Sequence, residues 1–246
     1  MPIIYLSAST QENNYYVNGG TEEQYMNLLA DKMVPYLNAS GIRYVRNSPN
    51  MTASSSIAAS NRGQYDLHLA LHSNAAPSAR YGEVRGSIVF YYPGSIEGQR
   101  AAQIIADGLK AIYPLPDLVT AQPTTTIGEV RRVRAPSVFL ELAFHDNVQD
   151  AQWIKSNLDA VARNLVLSLT EYFGIPFFEY SINRTGRVDV SWGVLNIRAR
   201  PSTGAPIVIQ APDGAPLSLI NQSQGWYLVD YNGTTGYALS QYITLI

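Results

Sequence analysis

The stretch Asp66-Leu67-His68-Leu69-Ala70-Leu71-His72-Ser73-Asn74-Ala75 decides the fold. Leu67–His72 is a short apolar run ending on a histidine, and it reads as a strand. Working outward, Ile3–Leu6, Ile42–Val45, Gly86–Tyr92 and Ser137–Leu142 read as further strands. The segments between them carry helical spacing. Glu22–Leu37 places Met26, Leu29, Met33 and Leu37 on one face, with Thr21 as N-cap and Gly41 as stop. Ser54–Asn61, Gln99–Ile112 and Asp150–Phe173 are also predicted helices. Strands separated by helices predict an α/β domain with a mostly parallel, twisted sheet flanked by helices.

After about Phe178 the helical period stops. Leu195–Arg198, Ile207–Ala211, Leu217–Asn221, Trp226–Asp230 and Gly236–Leu239 are short strand candidates divided by Gly, Pro and Asn turns. They predict a small all-β barrel. The expected division is therefore a domain over 1–176, a linker over 177–193 and a barrel over 194–246.

The bulk numbers remove several functions. A net charge of −2 gives no reason to expect nucleic acid. Cysteine is absent, so thiol nucleophiles and thiolate ligands are excluded. With 3 histidines, a catalytic metal would need carboxylates as well. No apolar run reaches the ~18 residues of a membrane span. The segment MPIIYLSAST lacks the basic region, long apolar core and cleavage site of a signal peptide.

Three segments carry candidate chemistry. His72 at a strand exit can project into a cleft as a metal ligand, or be a hydrogen-bonded structural histidine. Glu141 ends the apolar run Ser137-Val138-Phe139-Leu140, where desolvation would raise its pKa towards that of a general base. Its other reading is a carboxylate that reaches solvent or an arginine. Thr21-Glu22-Glu23 opens a helix, where acids also favour the helix dipole.

Taken in order, these segments resemble the zinc-dependent N-acetylmuramoyl-L-alanine amidases of the "amidase 3" type. The resemblance is carried by Glu23 four residues before Asn27, by Leu71-His72-Ser73-Asn74-Ala75, and by Pro136-Ser137-Val138-Phe139-Leu140-Glu141 followed by Phe144 and Asn147. Arg131, five residues before Pro136, and Arg46 after a strand add to it. It spans about residues 3–176. It implies Glu23 and His72 as zinc ligands, Glu141 as the catalytic carboxylate, and Asn74 and Arg131 as substrate contacts. The implied reaction is hydrolysis of the amide between N-acetylmuramic acid and L-alanine by zinc-activated water.

The family's first histidine has no counterpart. The strand runs into Ser9-Thr10-Gln11-Glu12, with Thr10 nearest the place. Glu12 is the expected replacement ligand, with Gln11 or His145 as alternatives. His68 shares a strand face with His72, but four residues of strand span about 13 Å, too far for one ion. A degenerate site that binds the wall without cutting it is the remaining reading.

Residues 194–246 resemble bacterial SH3-like domains, through Leu195-Asn196-Ile197-Arg198, Gly225-Trp226-Tyr227-Leu228-Val229 and Gly236-Tyr237. Such domains commonly bind peptidoglycan peptides. Trp226 and Tyr237 are expected binding aromatics, or core residues. The resulting expectation is a peptidoglycan hydrolase working outside the cell or in the wall, without a recognisable signal peptide. The alternatives are a non-catalytic wall-binding protein and a metallopeptidase or deacylase on another wall component.

Overall fold

The computed structural model describes all 246 residues. In chain order the first part contains β1 (Ile3–Ala8), α1 (Glu22–Ala39), β2 (Arg43–Arg46), α2 (Ala53–Arg62), β3 (Leu67–Asn74), β4 (Ser87–Tyr91), α3 (Ile96–Lys110), β5 (Val119–Pro123), α4 (Gly128–Arg131), β6 (Ser137–Phe144) and α5 (Val148–Phe173). The six strands form one sheet of order β2-β1-β3-β6-β4-β5. Strands β1, β3 and β6 run parallel. Strand β4 is antiparallel to β6 and parallel to β5. The helices are set by local chemistry. Thr52 and Ser55 form a capping box on α2. The Ser95 hydroxyl accepts from Gly98 N at 3.1 Å to start α3. Strand β5 and helix α4 are elements that the sequence pattern did not reveal.

The sheet positions the chemistry by its two faces. Tyr5 pairs with His68 and Ser7 with Ala70. His68 pairs with Ser137, Ala70 with Phe139, and His72 with Glu141. Paired residues share a face, and alternate residues along a strand stay on it. Both histidines of β3 therefore stand on the same face as Glu141. The opposite face is apolar, with Leu67, Leu69, Leu71, Leu140 and Leu142 all buried. Helices α2 and α4 cover the histidine face, Ser56 meeting Ser7 and Val130 packing on Ala70 and Phe139. The β3–β6 register shifts between His72 and Asn74. Such irregularities turn side chains near functional clefts.

Asp150, fully buried at the start of α5, ties this unit together. Its carboxylate accepts from Arg85 Nε at 2.8 Å, Tyr113 OH at 2.6 Å, Gly86 N at 3.1 Å and Phe144 N at 3.2 Å. Gly86 has φ +123°, and a Cβ there would sit 2.5 Å from the Leu118 carbonyl oxygen. Only glycine lets β4 begin so close to that backbone.

The chain divides into two compact units, residues 3–34 with 44–172, and residues 173–246 together with 1–2 and 35–43. The second unit holds β7 (Arg184–Val188), β8 (Val194–Arg198), β9 (Ile207–Pro212), β10 (Pro216–Ser223), β11 (Trp226–Tyr231), β12 (Thr234–Leu239) and β13 (Ile243–Leu245). They form an all-antiparallel sheet of order β13-β7-β10-β11-β12-β8-β9. Its core gathers Val188, Leu195, Ile197, Leu217, Leu219, Tyr227 and Val229. The stretch 177–193, expected to be a linker, thus contributes strand β7, which pairs with β10 on one side and β13 on the other. Arg-Thr-Gly-Arg-Val is too polar to signal a strand by itself; pairing on both edges makes it one.

Candidate active site

His72 sits at the centre of a buried polar chain. Its ring is stacked on Phe139 with centroids 4.1 Å apart, which fixes the ring plane. Its Nδ1 lies 2.7 Å from Glu22 Oε1, and its Nε2 lies 3.2 Å from Glu129 Oε2. Both carboxylates are closed off, Glu22 being 1% and Glu129 5% exposed. Glu22 Oε2 accepts from Asn14 Nδ2 at 2.7 Å. Glu129 Oε1 accepts from Ser7 Oγ at 2.5 Å and lies 3.3 Å from His68 Nε2. The order is Glu22, His72, Glu129, His68, and then Ser60 Oγ at 3.0 Å from His68 Nδ1.

The electrostatics follow from that order. Burial disfavours a charged His72 ring, but the bonds to Glu129 and Glu22 outweigh it and raise the pKa. Burial acts to raise Glu129 and Glu22, yet their histidine partners hold both below the usual carboxylate range. Glu141 differs. It is partly exposed, but its Oε2 is buried without a hydrogen-bond partner. Burial pushes its pKa up to about 8, against the pull of His72 and with a small push from Glu22. A carboxyl in that range is suited to exchanging protons near neutrality.

The expected residues fare unequally. His72 and Glu141 come together as paired neighbours on β3 and β6. The carboxylate that meets His72 is Glu22 rather than Glu23, whose side chain is partly exposed. Successive helical positions differ by about 100°, so one of two adjacent glutamates faces in and the other does not. Glu12 is exposed, and the carboxylates bonded to His72 are Glu22 and Glu129 instead. Gln11 does reach the ring, its Nε2 lying 3.4 Å from Nδ1. His145 is committed elsewhere: its Nδ1 is 3.0 Å from Ser73 Oγ, and its ring stacks on Tyr16. Asn74 lies at the end of β3, its Oδ1 accepting from Ala75 N at 2.9 Å. Arg131 is exposed and lines a separate open pocket of about 530 Å³ with Tyr92, Ser95 and Arg134. Glu129 was missed altogether. It occupies a four-residue helix with no strong pattern.

In the second unit, Trp226 lines a groove of about 490 Å³ together with Trp192, Arg198 and Tyr242. Trp192 is 86% exposed there. Tyr237, expected as a binding aromatic, is core instead at 1% exposed, with its hydroxyl unpartnered.

A mostly parallel sheet with a histidine and a glutamate at neighbouring strand ends, an acidic helix start beside them, and an antiparallel module define a two-part α/β protein with a buried His–Glu site. The comparisons give the family. The family described as N-acetylmuramoyl-L-alanine amidase matches residues 8–171, and the bacterial SH3 domain family matches residues 193–244. This chain belongs to the N-acetylmuramoyl-L-alanine amidase family, and is a peptidoglycan hydrolase by that membership. Among solved structures it is similar to the amidase AmiC2 of Nostoc punctiforme, with 12% identity, a TM-score of 0.61, and 70% of this chain and 97% of that one covered. The catalytic domain of the CD27L endolysin targeting Clostridia difficile has 20% identity and a TM-score of 0.58, with 70% and 98% covered. The catalytic domain of the amidase CwlV from Bacillus (Paenibacillus) polymyxa var. colistinus has 13% identity and a TM-score of 0.62, with 72% of this chain and 100% of that domain covered. At these identities the likeness is one of fold. A comparison with curated protein sequences gave no match.

The family is generally zinc-dependent, so the donor set can be tested against that ion. No group of three or more histidine or acidic side chains is arranged to hold a metal. Two strong donors do converge, His72 Nδ1 and Glu22 Oε1. The neighbouring position belongs to Gln11. Asn14 Nδ2 must donate to Glu22, and it also donates to Gln11 Oε1 at 3.0 Å. That fixes the amide orientation, so the Gln11 nitrogen and not its carbonyl oxygen lies near Nδ1, whose proton goes to Glu22. The residues fit zinc at two of the three protein positions usual in a catalytic site.

Proposed function

We propose that this chain cleaves the bond between N-acetylmuramic acid and L-alanine, with Glu141 as the proton-transfer group. The observation that carries the reading is the pairing of Glu141 with His72, beside the buried Glu22. Glu22 and His72 would hold zinc. When bound, zinc lowers the pKa of water and polarises a carbonyl. The Glu141 carboxylate takes the proton of the attacking water and passes it to the departing alanine amine. Asn74, at the end of β3, and the more distant Arg131 are proposed substrate contacts. The groove at Trp226 would hold peptidoglycan, raising its local concentration at the amidase unit. The working place would be the cell wall or the extracellular space.

A second reading has its own observation. Gln11 stands beside His72, in the segment where the family's first histidine has no counterpart. A chain with only two strong donors could bind the wall without cutting it. One experiment separates the two. Purified peptidoglycan is incubated with the full chain and with Glu141→Gln, and new amino-terminal alanine is quantified beside zinc content. Release by the native chain, absent in the variant, supports the amidase. No release with zinc supplied leaves the binding protein, and other new ends point to a different wall peptidase or deacylase.

A further inference from the structure

We propose that Glu129 is a positioning residue for His72: it holds the imidazole by Nε2 so that Nδ1 faces Glu22. The proposal rests on the reading that Glu22 and His72 are the donors of this site. Three observations carry it.

First, Glu129 is the partner of His72 Nε2, at 3.2 Å, and it is itself held. Ser7 donates to its Oε1 at 2.5 Å, and its own main-chain carbonyl accepts from Ser137 Oγ at 2.6 Å, which fastens α4 to β6. Second, the stack on Phe139 is equally satisfied after a 180° flip of the ring about its Cβ–Cγ bond, which exchanges the Nδ1 edge for the carbon edge. Carboxylates on opposite sides of the ring, Glu22 and Glu129, remove that freedom. Third, the position is an expensive one for a charge. Glu129 is 5% exposed, next in the chain to Val130, which packs on Ala70 and Phe139, and an ionised carboxylate buried there carries a desolvation cost. A buried ionised chain in such a place does not serve stability. His68 extends it, its Nε2 at 3.3 Å from Glu129 Oε1 and its ring stacked on Tyr5. A histidine whose second nitrogen is fixed by a buried carboxylate is the arrangement that orients ligand histidines and sharpens their affinity.

The test uses the full chain with Glu129→Ala and Glu129→Gln. Zinc affinity is measured by calorimetry. The His72 Nε2–H is followed by nitrogen-15 NMR in metal-free protein as an exchange-protected signal distinct from Nδ1–H, and far-UV circular dichroism checks folding. In Glu129→Ala the protected signal is expected to vanish and zinc affinity to fall about 10- to 100-fold. In Glu129→Gln, which keeps an acceptor oxygen, the signal persists and affinity falls less than about tenfold. A folded Glu129→Ala that keeps both the signal and its affinity within a factor of two overturns the proposal. If the alanine variant does not fold, Glu129→Leu, which fills the space without an acceptor, decides, and a protected Nε2–H with zinc affinity within a factor of two of native there overturns it. If the native chain takes up no zinc, the zinc reading of the amidase fails. The ring signal of Glu129→Ala, lost or kept, then still decides for or against Glu129.

Discussion

Replacing Glu141 with glutamine should stabilise the amidase unit in alkali and scarcely change it in acid. A free glutamate titrates at 4.5 and this one at about 8. Because the folded-state pKa is raised, the folded protein holds a proton that the unfolded chain releases. Stability contributed by this group is therefore full below 4.5, falls as pH rises, and levels off above 8. At about 1.4 kcal/mol per pH unit the native chain would lose nearly 5 kcal/mol by pH 9, and about 1 kcal/mol by pH 5. The residue is partly exposed, so water relieves part of this; a pH 9 minus pH 5 difference of about 2–4 kcal/mol is expected. Glutamine has the same shape and no such term. The assay is urea unfolding of both proteins at the two pH values, followed by helical circular dichroism. That signal reports mainly on the amidase unit, because residues 174–246 contain no α-helix. A stability difference between variant and native that is the same at pH 5 and pH 9 would refute the reasoning, since Glu141 would then be ionised as in water. By the same titration, amidase activity of the native chain should rise through about pH 8, as the carboxylate form appears.

Three further outcomes are expected. Gln11→His supplies the missing imidazole beside His72 and should raise zinc affinity at least about tenfold in calorimetry; unchanged affinity would show that Gln11 does not occupy a ligand position. Asp150→Ala leaves the partly buried Arg85 and two backbone N–H groups without their acceptor, and should cost about 3–5 kcal/mol in urea unfolding. Tyr237→Phe removes a buried hydroxyl that has no partner; it should leave wall binding intact and stabilise the second unit by about 1 kcal/mol, whereas lost binding would return Tyr237 to the ligand surface.

The sequence made the frame of the amidase unit legible because its signals are local. An apolar run ending in His72, another ending in Glu141 and the helical stripe from Met26 to Leu37 each announce themselves within a few residues. What it hid depends on distance or phase. Glu22 and Glu23 are equivalent as letters, and only the rotation of α1 about its axis separates them. Glu129 has its meaning from β1 and β3, 122 residues from Ser7 and 57 from His72. Gln11 could be named as a replacement but not oriented, because its amide direction is dictated by Asn14 and, through it, by Glu22. Strand β7 is written in polar residues and exists through its two neighbours.

Those neighbours have a practical consequence. Strands β7 and β13 are the first and last of the second unit, and they lie side by side, with Ile246 N donating to Thr185 O at 3.2 Å. The two seams of the module are therefore adjacent. Set into a surface loop of an unrelated carrier as a cassette, it would have its incoming and outgoing chain meet at one point. The cut must fall before Arg184: a cassette begun at Val194 would strip β7 away and bare the hydrogen-bonding edges of β10 and β13, inviting copies to stick edge to edge.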